Sequence, residues 1–184
     1  VYASDLRIEG FAGVGASDNA FEIETSTVAA AVTGAGSAGD LRLEEATTLR
    51  LTTVTPVSVL RVEADASTTL TSDAAGIAGL TGVEDGNVLL EVVSGELTVD
   101  TGIAALGDGH VRVVALAGAM TLDAAISSID GAVTLSASEA LTLSAATALA
   151  SATGTIDVFS GAALTMADGA TVTSAADVRL LAED

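Results

Sequence analysis

The chain contains no cysteine, no lysine and no tryptophan. Without cysteine there are no disulfides and no thiolate metal sites. Secretion stays compatible, since a repeating fold can replace disulfides as the source of stability. Without lysine, the cations are six arginines against 25 acidic residues, a formal charge of −19. Nucleic acid and anionic membranes both require a basic surface, so neither is an expected partner. Aromatic residues make up only 2% of a chain that is 49% hydrophobic. The apolar mass is therefore Ala, Val and Leu, which fill a narrow interior. That composition also argues against disorder. The longest uncharged run, residues 140–156, is interrupted throughout by Ser and Thr and is too short to cross a membrane. No leader is legible at the start, where VYASDLRIEG reads as strand.

What is present is a repeat. Gly86, Gly109, Gly131 and Gly154 open four similar segments of 23, 22, 23 and 23 residues, and DVRLLAED begins a fifth. Each copy opens with an alternating strand: Val88 and Leu90, Val111 and Val113, Val133 and Leu135, Ile156 and Val158, then Val178 and Leu180. A second strand follows at Leu97, Met120, Leu141 and Leu164, and a third anchor at Ile103, Ile126, Leu149 and Val172. Period-two alternation of Val, Leu, Ile and Thr marks half-buried strands. Three short strands and three turns in about 23 residues make one turn of a β-helix. The stretch ASEALTLSAATALASA could be drawn as a helix, since Ala is the best helix former. The recurrent Thr and Val at period two and the regularly spaced Gly argue against it.

The expected fold is all-β: a parallel β-helix, or β-solenoid, of about eight coils. Residues 86–184 hold the regular coils and residues 1–85 less regular ones, in a single module spanning 1–184. About four coils must come from residues 1–85 together with the tail. Within 1–85, DLRIEG, FEIETSTVAAAV, DLRLEEATTLRL and VSVLRVEA read as strands. DVRLLAED supplies a first strand and VYA resembles a second, so the module is expected to be one period of a longer tandem array. The partners would then be neighbouring copies of the same repeat, stacked end to end through raw strand edges.

Candidate binding residues lie on outward positions. Arg7, Arg42, Arg112 and Arg179 follow DL, HV or DV at strand starts, and Arg50 and Arg61 share the frame of an apolar residue on each side. They form either a solvated face with acidic neighbours or rows that bind an anionic glycan or a partner's carboxylates. A second outward column, Glu91, Val114, Ser136, Phe159 and Leu181, places three apolar residues toward solvent. Val114, Phe159 and Leu181 are either a lateral contact between filaments or with another domain, or are covered by part of residues 1–85. Thr98, Thr121, Thr142 and Thr165 make a threonine column. Ice-binding arrays pair two such columns, and the neighbouring one here is Asp100, Asp123, Ser144 and Ala167. Acidic turns recur at 84–86, 107–109, 129–131 and 167–169. Asp-Gly is ordinary turn chemistry, with weak calcium binding as the alternative. His110 stands alone, without a Ser-and-acid constellation, and no cleft-building insertions are legible. No enzyme activity, catalytic residue, cofactor or metal site is expected.

The stretch GVGASDNAFEIETSTVAAAVTGAGSAGDLRLEEATTLRL resembles the tandem repeats of giant bacterial surface proteins and filamentous-haemagglutinin-like adhesins. The resemblance rests on Gly13, Gly15, Phe21, Ile23, Thr27, Ala29, Ala30, Gly36, Gly39, Leu41 and Leu43, and on LTMADGATVTSAADVRLLA later. Ala20 stands where that family often has proline. The resemblance implies an extracellular, cell-surface or matrix-forming β-solenoid shaft.

Overall fold

The computed structural model describes residues 1–34 and 39–183; Gly36 lies outside the described residues. The chain enters through β1 (Tyr2–Gly10) and β2 (Phe21–Val32), then β3 (Leu41–Glu45) and β4 (Leu49–Leu51). Four short strands follow: β5 (Thr53–Val54), β6 (Ser58–Val62), β7 (Thr68–Ser72) and β8 (Ile77–Ala78). The regular course resumes with β9 (Leu80–Glu84), β10 (Val88–Val92), β11 (Leu97–Val99), β12 (Ile103–Leu106), β13 (Val111–Ala115), β14 (Met120–Leu122) and β15 (Ile126–Ser128). It closes with β16 (Val133–Ala137), β17 (Leu141–Leu143), β18 (Ala148–Ser151), β19 (Ile156–Ser160), β20 (Leu164–Met166), β21 (Thr171–Ser174) and β22 (Val178–Ala182). No helix occurs among the described residues.

These strands stack as a β-solenoid of about eight levels with three faces. The first face runs β2, β3, β10, β13, β16, β19, β22, every pair parallel and in register. The second runs β1, β2, β4, β11, β14, β17, β20. The third runs β1, β2, β9, β12, β15, β18, β21. Residues 1–85 and the tail thus contribute four levels, two of them partial, as the repeat arithmetic requires.

Alternation puts one set of side chains inside. Leu43, Leu90, Val113, Leu135 and Val158 form one inward column, buried at every level. Leu51, Val99, Leu122 and Leu143 do the same on the second face. Columns of like aliphatic side chains fill an interior too narrow for rings, which accounts for the scarcity of aromatics. Burial of this kind contributes roughly 1.5–3 kcal/mol per Leu or Val side chain.

The marker glycines are corner residues. Gly39, Gly86, Gly109, Gly131 and Gly154 stack at the turn before the first face, and a Cβ on Gly131 would lie 2.2 Å from the carbonyl oxygen of Gly109. The corner is tight because successive backbones touch there. Next to it, Ser128, Ser151 and Ser174 donate hydroxyl hydrogen bonds inward to the carbonyls of Gly109, Gly131 and Gly154. Those three hydroxyls also accept from the amides of Gly131, Gly154 and Ala176. Among the described residues one charge enters the interior: Glu45, fully buried, accepts from the Thr25 amide on Oε2 and from the Thr47 amide and hydroxyl on Oε1. Three donors satisfy a group whose burial would otherwise be costly.

Residues 52–79 depart from the repeat, and the sequence had not made this insertion legible. In β2 the step from Val28 to Ala30 takes one residue, Ala29; at the next level Leu51 and Leu80 occupy the same two columns. Between them the chain leaves the solenoid at the corner of the second and third faces. β5 and β8 pair antiparallel and lie against β2, and β6 and β7 form an exposed antiparallel hairpin beyond them. VSVLRVEA is a strand, as expected, but it belongs to this arm. Its pattern of Val and Leu resembles that of the coils, and only its pairing partner differs.

Leu135→Asp places a charge among fully buried side chains and is expected to lower stability by at least about 3 kcal/mol. A thermal melt unchanged from wild type would put Leu135 outside the core. Gly131→Ala is expected to lower the melting temperature because the corner must open to admit a methyl group. An equal melt would mean that the glycine column is not close-packed.

Candidate functional site

The first face carries two outward columns. One is Arg42, Leu89, Arg112, Thr134, Asp157 and Arg179; the other is Glu44, Glu91, Val114, Ser136, Phe159 and Leu181. The register therefore aligns both proposed sets. Their surroundings differ from one level to the next. Val114 keeps only 5% of its surface, although it points away from the core. Phe159 is half-buried and Leu181 exposed, so the open part of the apolar strip lies at the last two levels. Val93 and Leu116, at the following corner, add exposed apolar surface beside the strip.

Arg42, Arg112 and Arg179 share a column, whereas Arg7 lies apart on β1. The Arg7 side chain is 14% exposed, pairing with Glu9 at 2.9 Å and Asp73 of the arm at 3.2 Å. Arg42 grips Asp40 through Nε and an Nη at 2.8 and 2.6 Å. Arg179 forms a two-pronged pair with Asp157 at 2.7 and 2.5 Å. Arg112 reaches Glu91 at 3.4 Å. Arg50 pairs with Asp100 on the second face, and Arg61, on the hairpin, stands 3.9 Å from Glu63. All six cations have a carboxylate of their own, so the rows present little net positive charge. The contacts at Arg112 are the loosest on the first face.

Around Arg112 the face is concave. The turn at residues 16–20 rises beside Arg42 and Glu44, enclosing a hollow of about 210 Å³ that continues past Leu89 and Arg112. A second hollow of about 420 Å³ shares Arg42, Leu89 and Arg112 and extends to His110 and Thr134. Leu89 is an apolar floor between two guanidinium groups. Sequence alone concealed this concavity, because the turn that walls it sits three levels from Arg112.

A polar ladder borders the hollow. Asp40 Oδ1 accepts from the amide and the side chain of Asn87, and Asn87 Oδ1 accepts from the amide of His110. His110 Nδ1 in turn accepts from the amide of Ala132, which leaves Nε2 to carry the proton of a neutral ring. His110 is therefore a structural acceptor with an exposed ring. Asp40, Asn87 and His110 hold the same place in successive repeats, directly before each first-face strand, and that shared position was the available signal. Burial pushes the Asp40 carboxyl up, but hydrogen bonds from Asn87 and Arg42 outweigh it and hold the group below its ordinary value of 3.8. The Arg179 hydrogen bonds, working against slight burial, likewise hold Asp157 low.

Elsewhere, Thr98, Thr121, Thr142 and Thr165 align as a single outward column on the second face. Asp85, Asp108 and Asp130 share the corner between the third and first faces, where Asp85 Oδ1 accepts the Asp108 amide. Asp168 lies on a different corner. Among the described residues no group of three or more His, Asp or Glu side chains is placed to hold a metal ion.

No family model, no curated protein and no solved structure matches the chain.

A depressed carboxyl stabilises the fold above its unfolded pKa, and that contribution disappears as the pH falls through the folded value. Asp40→Ala is therefore expected to lower the melting temperature at neutral pH, and the gap from wild type to narrow below pH 3.8. A gap independent of pH would assign the loss to packing alone.

Proposed function

We propose that this chain is a structural module of an extracellular fibre or of a giant bacterial surface adhesin shaft, stacking end to end with copies of itself. The observation that carries the reading is that the three inward columns continue undiminished to the terminal levels. Leu180 stands in the column of Val158, yet it is 46% exposed where Val158 is 0%. Another coil laid on β22 would bury it and continue the backbone ladder. The partial levels are complementary as well: β22 lies on the first face and β1 on the second and third. The low-complexity resemblance to adhesin repeats points the same way. In such a module function is mechanical. Each level is held by hydrogen bonds along the axis and by a dry aliphatic interior, and the acidic surface keeps neighbouring shafts apart except where cations or the open strip bridge them.

A second reading, an adhesion surface for a glycan or a partner protein, is favoured by the hollow at Arg42, Leu89 and Arg112 and by the open strip at Phe159 and Leu181. Weak calcium binding at the acidic corner would act on lateral spacing.

Electron microscopy of the purified chain tests the first reading. Layer lines are expected near 4.8 Å and at about 34–38 Å, the advance of seven or eight levels. Discrete compact particles at every concentration would sink it. Phe159→Ser with Leu181→Ser is expected to leave the axial lines and to abolish side-by-side bundling. Bundles that persist would remove the strip from lateral contact.

A further inference from the structure

The arm at residues 52–79 has an apolar face that nothing in its own chain covers. Pairing of Leu60 with Leu70 and of Val62 with Thr68 sets Leu60, Val62 and Leu70 on one side of the hairpin, each about two-thirds exposed. β6 and β7 pack on each other and make no extensive contact with a strand of the solenoid. A two-stranded hairpin is marginal in water by itself, and a cross-strand cluster of this kind marks a contact surface.

The base of the arm shows where it is directed. It leaves the solenoid at the level of β4 and β9, packs over β2, and reaches β1, where Arg7 meets Asp73 and donates to the carbonyl of Ala75. It therefore travels toward the edge of the solenoid formed by β1. Each hairpin strand has five residues, which span about 16 Å, or about three levels. What the base covers is also informative. Under β5 and β8 lies the small-residue corner of β2, and Ala29 there is fully buried although it sits between inward residues. At the other end of the solenoid the same corner carries Ala145 and Ala146, both exposed, and one level on Ala167 and Ala170, half-exposed, on either side of the exposed Asp168.

We infer that the arm is a clasp: it extends across the joint between stacked modules and seats Leu60, Val62 and Leu70 on the alanine corner of the last levels of a second copy. The contact repeats between two copies what β5 and β8 already do within one. It rests on the end-to-end stacking proposed above, and it adds to that stacking a lock against rotation and sliding at the joint. An axial hydrogen-bond ladder alone tolerates one-level slips, whereas a side arm fitted to a corner does not.

The absence of cysteine permits a clean cross-linking test. The variants Leu70→Cys and Ala146→Cys are prepared separately, then mixed under mild oxidation. Disulfide-linked dimers are expected from the mixture and not from either variant alone. In parallel, Leu60→Ser, Val62→Ser and Leu70→Ser are combined. Because these three side chains are largely exposed, the thermal melt is expected to match wild type, while half-assembly in sedimentation velocity moves to at least about tenfold higher concentration. If the wild-type chain assembles but the mixed cysteine variants give no disulfide-linked dimer, or if the triple variant assembles at the wild-type concentration, the clasp is overturned and stacking is left intact. A wild-type chain that sediments as a monomer at all concentrations overturns both.

Discussion

A parallel ladder closes along an axis only if every turn of the chain returns each strand to the place it held one level before. That requirement governs this molecule. It sets the coil length at 22 or 23 residues, because β10, β13, β16, β19 and β22 must start in register. It favours aliphatic side chains of similar size in columns such as Leu43, Leu90, Val113, Leu135 and Val158, since a much larger one at one level would push apart its neighbours above and below. It also explains the corner glycines: where two successive turns bend most sharply, the peptide of one level occupies the space of the Cβ of the next. Aliphatic monotony is thus a consequence of the geometry. A Phe in place of Leu135 would have no room, whereas Phe159 is accommodated because it faces outward.

Much of this could be read from the residues themselves. Val88 with Leu90 and their successors announce the first face because alternation exposes one side of a strand and buries the other. Gly86, Gly109, Gly131 and Gly154 mark the corner because successive backbones approach there more closely than a Cβ in place allows; at the last level Ala176 holds the position. The arm was hidden for an equally physical reason. Val59, Leu60 and Val62 alternate no differently from Leu41 and Leu43, and strand propensity does not say whether the partner runs parallel one level away or antiparallel across a turn. The hollow at Arg112 was hidden because its wall comes from residues 16–20, three levels away along the axis. Glu45 reads as a surface charge by its neighbours, yet it faces inward and is answered by Thr25 and Thr47.

The charges follow the same logic. With 25 carboxylates and six arginines, each guanidinium finds an acid in reach, and Arg42 and Arg179 hold theirs through two nitrogens each. Exposed pairs of this kind contribute little to stability. Their more definite effect is on recognition. A guanidinium already engaged by its own chain offers an incoming anion only what remains of its donors, so selectivity on the first face depends more on shape than on charge.

The corner at Leu51 and Leu80 tolerates an excursion of the chain that leaves the ladder intact on both sides. Closing a longer loop costs only slowly more entropy as its length grows. A solenoid can therefore acquire foreign segments at such a corner without renegotiating its core. The shaft supplies stiffness and periodic spacing, and its corners supply sites where evolution, or an engineer, can mount a new recognition element at a chosen height.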